Sequence, residues 1–324
     1  MSSTDTAKPR PPKGEPPVKR RSPERPGDKI FKGLSFGAAM IILVALAGVA
    51  IFLTVEGIPG LGASGGAVAG EANFLVYAGR LVYGTLLAAV IALIVATPLS
   101  IGMALVISHY APRRLATPLG YMIDLLAAVP SVVYGLWGIL FFGRFMGDIY
   151  VWLEANLGFI PLFSGPAATG GRTILTAGLV LALMVIPIIT AICREIFAQT
   201  PTLHQEAALA LGATRWEMIR YAVFPYAKSG MVSATMLGLG RALGETMAVA
   251  MVLSASGTGV MTLNLITTQN PNTIAANIAR SFPEATGLSV NVLIASGLVL
   301  FLITFAVNFA ARAIVARSGK RLNA

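Results

Sequence analysis

The residues best placed to do chemistry are Arg241 and Glu245, in the run Gly238-Leu-Gly240-Arg241-Ala-Leu-Gly244-Glu245-Thr246 of an otherwise apolar stretch. Charges at such depth are expensive, so they face a bundle interior or an aqueous cavity and mark a substrate path. At the i, i+4 spacing the same two residues also form a natural ion pair whose only effect would be to stabilise the helix, and both readings stay open. Gly240 and Gly244 make a small-xxx-small pair that lets another helix approach closely.

The stretch that must position these charges lies just before them, from Thr200 to Pro225, TPTLHQEAALALGATRWEMIRYAVFP. Thr202 followed by Gln205 predicts a capping box opening a short helix, and Gly212 predicts its stop, because glycine enters the left-handed conformation without strain. Thr214 with Glu217 repeats the capping box, so a second helix is expected to run toward Pro225 after a sharp turn at Gly212-Ala213. Ala207, Ala208 and Leu211 share one side of the first helix, and that side carries little bulk, leaving room for another protein's backbone or groove.

A hydrophobic fraction of 56%, a charged fraction of 12% and a mean hydropathy of +0.76 place the chain among all-α integral membrane proteins. Apolar runs of about 20 residues each are counted as spans. Six are expected, at 33–55, 75–110, 119–142, 175–193, 230–254 and 288–311, within a membrane domain covering 30–324. Residues 1–29 are rich in Pro, Lys and Arg without apolar periodicity and are expected to form a disordered basic tail. The formal charge of +10 does not signal nucleic acid, because nine basic residues fall between Lys8 and Lys32, ahead of the first span. The remaining basic residues cluster at Arg113 and Arg114, in the 200–225 stretch, and from Arg312 onward. By the positive-inside rule, both termini and the 200–225 elbow are cytoplasmic. The outer loops carry fewer, Arg80, Arg144, Arg172 and Arg280.

Several chemistries are excluded. Cys193 is the only cysteine, so no intrachain disulfide forms, and with His109 and His204 it makes no recognisable metal set. Gly319-Lys320 is followed by Arg321 rather than Ser or Thr, so there is no phosphate-binding Walker loop. This chain is therefore expected to bind no cofactor of its own and not to be an enzyme alone; any ATP work sits on a partner.

Glu206-Ala207-Ala208, Gly212 and the Phe224-Pro225 pair resemble the EAA loop of ABC-importer permeases, with Ala222 and Phe224 departing mildly from the usual pattern. Arg241 to Thr246, the Val-Pro130-Ser131-Val-Val-Tyr134-Gly stretch and Asn270-Pro-Asn-Thr-Ile-Ala-Ala resemble the PstC-type permeases of bacterial phosphate importers, over about residues 75–320. The resemblance implies a six-span type I importer permease in the bacterial inner membrane, giving alternating access to inorganic phosphate. It also implies the partners: a second, PstA-like permease, two PstB-like ATPase subunits that hold ATP and Mg, and an external PstS-like phosphate-binding protein, with membrane lipid around them. Glu206, Ala207, Ala208 and Gly212 would then form the coupling helix against the ATPase, and Arg241 and Glu245 the phosphate path. The chemistry suits that role. A guanidinium matches oxyanion geometry, and a carboxylate accepts the O–H of hydrogen phosphate, which sulfate lacks at neutral pH. Ser131 and Tyr134 offer hydroxyls to the path, or alternatively bond to backbone as packing residues. Asp124 is expected to pair with a nearby basic group. Two rivals remain at this stage: a permease for sulfate or molybdate, and an ion-coupled secondary transporter working without ATP.

Overall fold

The computed structural model describes residues 26–254 and 258–320, so residues 1–25 of the expected tail lie outside the described residues, and helix α1 (Pro26–Leu61) already begins within the expected tail. The chain divides into two compact units, one ending at Val49 and one beginning at Ala50. In the first, the described residues are helical, and Ile41, Ile42, Leu43 and Val44 in succession are all exposed. An apolar surface of that kind suits lipid or another membrane helix.

The second unit is built on α2 (Phe74–Leu105) and α6 (Ile174–Ala198), which pack along each other, with α9 (Phe224–Gly244) against α6. Small residues permit this. Ala88, Ala89, Ala92 and Ala96 of α2 are buried in one cluster with Val180, Leu181, Val185 and Ile189 of α6. A Cβ on Gly238 of α9 would stand 2.6 Å from Val185 and 2.8 Å from Ile189, so the bare glycine sets that approach. Across the α2–α6 seam Ser100 Oγ donates to the Ile186 carbonyl at 3.1 Å. Helix α2 continues through a wider π turn to Tyr110.

Between these lie α3 (Arg113–Ala127), α4 (Ser131–Trp137) and α5 (Gly143–Leu157), the last two joined by a π turn over Gly138–Phe142. The single span expected over 119–142 is therefore two helices and a π turn, and α5 continues the helical chain through residues 143–157, outside the expected spans. Pro130 explains the break: it has no N–H to continue α3, and it disfavours helical backbone at the residue before it. The elbow follows α6 as α7 (Thr202–Ala210) and α8 (Arg215–Met218), and α9 leads to α10 (Met247–Val252). Beyond it come α11 (Ile274–Ser281) and α12 (Leu288–Lys320).

A second cluster of Phe74, Tyr77, Leu81, Ile274, Val292 and Ala295 ties α2, α11 and α12 together. Polar contacts reinforce it: Asn277 Nδ2 donates to the Tyr77 hydroxyl at 2.6 Å, and the Ile274 N–H donates to Thr85 Oγ1 at 3.0 Å. Among the described residues five helices are long and apolar enough to cross a membrane, Ile30–Leu61, Phe74–Tyr110, Ser131–Leu157, Ile174–Ala198 and Leu288–Ala313. The stretch expected as a further span over 230–254 is interrupted, because α9 ends at Gly244 and Glu245 is extended, with φ −69° and ψ 125°.

Candidate functional site

The interruption carries the two charges singled out in the sequence. Arg241 sits in the last turn of α9 and is exposed, whereas Glu245 is only 9% exposed. No ion pair joins them; the pairs formed include Arg80 with Glu71 and Arg194 with Asp124. A continuous helix would have stacked the two side chains, and the extended backbone at Glu245 removes that register. The carboxylate turns to the next helix: Glu245 Oε1 accepts from the Ala248 N–H at 3.2 Å, satisfying one of the donors left open at the start of α10.

Helix α4 lies against α10, and Gly135 makes this possible, since a Cβ there would stand 3.0 Å from the Ala248 Cα. The half-buried Tyr134 next to it donates its hydroxyl to the Leu126 carbonyl at 3.0 Å and lies within Coulombic reach of Arg241. Ser131, half-buried, is three residues earlier on α4. So the fold brings Tyr134 toward Arg241, with its proton committed to backbone, and sets Ser131 on the same side of α4. The expected partner of Asp124 is Arg194, whose Nη2 approaches the carboxylate oxygens at 3.2 and 3.3 Å.

The other end of α10 holds two arginines that spacing along the chain does not associate. Arg172 Nη2 donates to the carbonyls of Met251 and Leu253, both at 3.3 Å. Arg280 Nη2 donates to the Ala250 carbonyl and, at 2.6 Å, to the same Leu253 carbonyl. Burial, and secondarily the like charge of Arg172, pull the Arg280 guanidinium below its usual pKa. The loop carrying Arg172 is held by Asn270, of the Asn-Pro-Asn-Thr run, whose Nδ2 donates to the Arg172 carbonyl at 2.8 Å while its Oδ1 accepts from the Ile174 N–H at 2.8 Å. Asn270 is 1% exposed, so this motif staples loops together.

In the elbow, Gly212 has φ +86° and closes α7: the Ala213 N–H donates to the Ala208 carbonyl at 3.2 Å and the Gly212 N–H to the Leu209 carbonyl at 2.9 Å. This nested pair is a Schellman closure. Both arms of the Thr214 and Glu217 capping box are present. The first expected box is not. Pro201 occupies the cap position of α7 without a side-chain bond, and Gln205 Nε2 donates instead to the Thr200 carbonyl at 3.1 Å. Gln205 thus bonds an acceptor where the box would need an N–H, and proline at the cap has none. Glu206 and Ala207 are exposed, Ala208 is half-buried against the main core, and Leu211 is 90% exposed. Behind them a chain of rings runs from His109 to Phe197, Phe224 and Trp216, with centroid separations of 6.2, 6.4 and 6.2 Å. The rings join the ends of α2 and α6 to the elbow.

Residues 96–323 match the family described as binding-protein-dependent transport system inner membrane component. The phosphate transport system permease protein PstC 2 of Mycobacterium tuberculosis is 44% identical over 310 residues, covering 90% of this chain and 93% of the relative. PstC of Mycobacterium leprae is 40% identical over 314 residues, covering 91% and 94%. PstC of Xylella fastidiosa strain Temecula1 is 44% identical over 245 residues, covering 74% of each chain. Among solved structures, a chain of the inward-facing MetNI methionine ABC transporter aligns with a TM-score of 0.49 at 15% identity, covering 74% of this chain and 94% of that one.

Proposed function

We infer function from one premise: the chain belongs to the family of binding-protein-dependent transport system inner membrane components. It is a multi-pass membrane permease subunit of an importer. Within that role it passes inorganic phosphate, in a complex with a second PstA-like permease, two PstB-like ATPases holding ATP and Mg, and an external PstS-like binding protein. The observation that carries this reading is Arg241, an exposed guanidinium in the last turn of α9 and in no ion pair among the described residues. A fork of donors left open in that position suits a tetrahedral oxyanion. The names of the relatives favour phosphate among oxyanions.

In this reading the α9, Glu245 and α10 element is the remaining crossing, with both chain ends and the elbow on the cytoplasmic side. Discontinuous helices of this kind serve substrate sites because the broken backbone lines a cavity. The exposed face of α7, with Glu206, Ala207 and Gly212 at its closing turn, meets the ATPase. Closure of the ATPase dimer shifts the elbow, and the ring contacts from Trp216 to His109 pass that shift to α6 and α2.

The test is uptake into proteoliposomes holding the assembled complex. Phosphate enters, sulfate and molybdate do not compete, and an ATPase-dead partner stops entry. Sulfate entering as fast as phosphate, or uptake persisting with the dead ATPase, defeats the reading.

A further inference from the structure

Two like charges rarely share one acceptor, yet Arg172 and Arg280 both place Nη2 on the Leu253 carbonyl. They come from separate segments, one just before α6 and one in α11, so the fold assembles the pair. The C-terminal carbonyls of α10 attract cations, and capping that helix accounts for one guanidinium. It does not account for two, because the second adds repulsion and the desolvation of Arg280. Arg172 moreover is exposed, reaches its two carbonyls only at 3.3 Å, and uses one of its nitrogens to do so. Among the described residues its remaining N–H edge meets no acceptor, which leaves it for a ligand that brings negative charge to both cations.

We propose that Arg172 and Arg280, converged on the Leu253 carbonyl past the C-terminal end of α10, form a binding site for the phosphate group of a tetrahedral oxyanion, separate from Arg241, which lies in the last turn of α9 before α10 begins. Helix α10 spans six residues. At 1.5 Å per residue its own two ends are on the order of 10 Å apart, and α4 runs beside it. On the phosphate-import reading, on which the site's role rests, an anion stops first at the arginine pair and then at Arg241. The weak, long bonds of Arg172 let the guanidinium exchange carbonyl for anion without disturbing α10, which Arg280 continues to cap. The same chemistry would hold the headgroup phosphate of a phospholipid, and the two sources are separable.

The experiment measures broadening of the 31P resonance of inorganic phosphate by the purified complex with Arg241→Gln, which removes the other station. Binding is expected to persist there, and adding Arg172→Gln weakens it about tenfold, the loss of a charge-assisted hydrogen bond. Arg280→Lys keeps the charge while loosening the fork, and serves as the second variant because Arg280→Gln strips two bonds from α10; it weakens binding less than Arg172→Gln. If phosphate broadening does not respond to Arg172→Gln but co-purified phospholipid falls, the site belongs to a headgroup phosphate. If neither responds, or only the melting temperature falls, the pair is a helix cap and the proposal is overturned. Failure of the wild-type complex to take up phosphate, with binding lost on Arg172→Gln, would defeat the import reading and leave the site standing.

Discussion

Glu245 Oε1 accepts a hydrogen bond from the Ala248 N–H at 3.2 Å, and this contact lies across a helix break that separates the carboxylate from Arg241. The carboxylate is therefore an N-terminal cap of α10. Glu245→Gln keeps a carbonyl oxygen in the same place and leaves assembly intact, whereas Glu245→Ala removes the acceptor and lowers stability by about 1 kcal/mol. Thermal melts of the two purified variants check this; equal losses would rule out the capping role.

Arg241→Gln is expected to abolish phosphate uptake at unchanged expression and ATPase association, since the amide keeps polarity and loses charge. Because no ion pair joins the residues, the melting effects of Arg241→Gln and Glu245→Gln add to within ~0.5 kcal/mol in the double variant. Recovery of stability or uptake in the double variant would mean that a bridge forms in the working complex.

Gly212 stands at φ +86° with nothing within 4 Å of where a Cβ would be, so the cost of a Cβ there falls on the backbone. Gly212→Val, β-branched in the left-handed region, costs on the order of 1 to 3 kcal/mol locally and uncouples ATP hydrolysis from uptake. Gly212→Asn, which tolerates that region, retains coupling. The ratio of phosphate moved to ATP hydrolysed distinguishes them, and identical ratios would show that the turn is not needed.

The Thr214 N–H and hydroxyl hold the Glu217 carboxyl below its usual pKa. A folded value below the unfolded one stabilises the start of α8 above the unfolded pKa, and the contribution is lost as pH falls through the folded one. Hydrogen exchange at the Glu217 amide, corrected for intrinsic rate, should lose protection on acidification through the carboxylate range. Glu217→Gln, which removes the titrating group and leaves Thr214 Oγ1 to accept from the residue 217 N–H, should remove that pH dependence; a variant that keeps it would place the titration elsewhere.

A Cβ on Gly120 would stand 2.0 Å from Arg194 Nη1, the guanidinium that pairs with Asp124. Gly120→Ala displaces a flexible side-chain end from a partly exposed pair, so the stability loss stays under about 1 kcal/mol. A melt showing a much larger loss would make the pair a buried anchor of α3 on α6.

Local chemistry was legible in the chain itself. Apolar runs identify a membrane bundle because hydrocarbon admits little else, and Gly212 with the Thr214 and Glu217 box marks the elbow because turns and caps are satisfied within a few residues. What the chain does not reveal is which of several competing local bonds forms and which distant segments pack together. Thr202 has the pattern of a cap, yet Pro201 takes the cap position and Gln205 bonds Thr200. Residues 230–254 read as one largely apolar span around Arg241 and Glu245, whereas in the structure the helix breaks at Glu245, whose carboxylate accepts from the Ala248 N–H where α4 packs against α10. Arg172 and Arg280 meet on Leu253 from 81 and 27 residues away. Periodicity and capping are properties of neighbours along the chain, whereas convergence of like charges on one carbonyl is set by packing, which the tertiary structure alone decides.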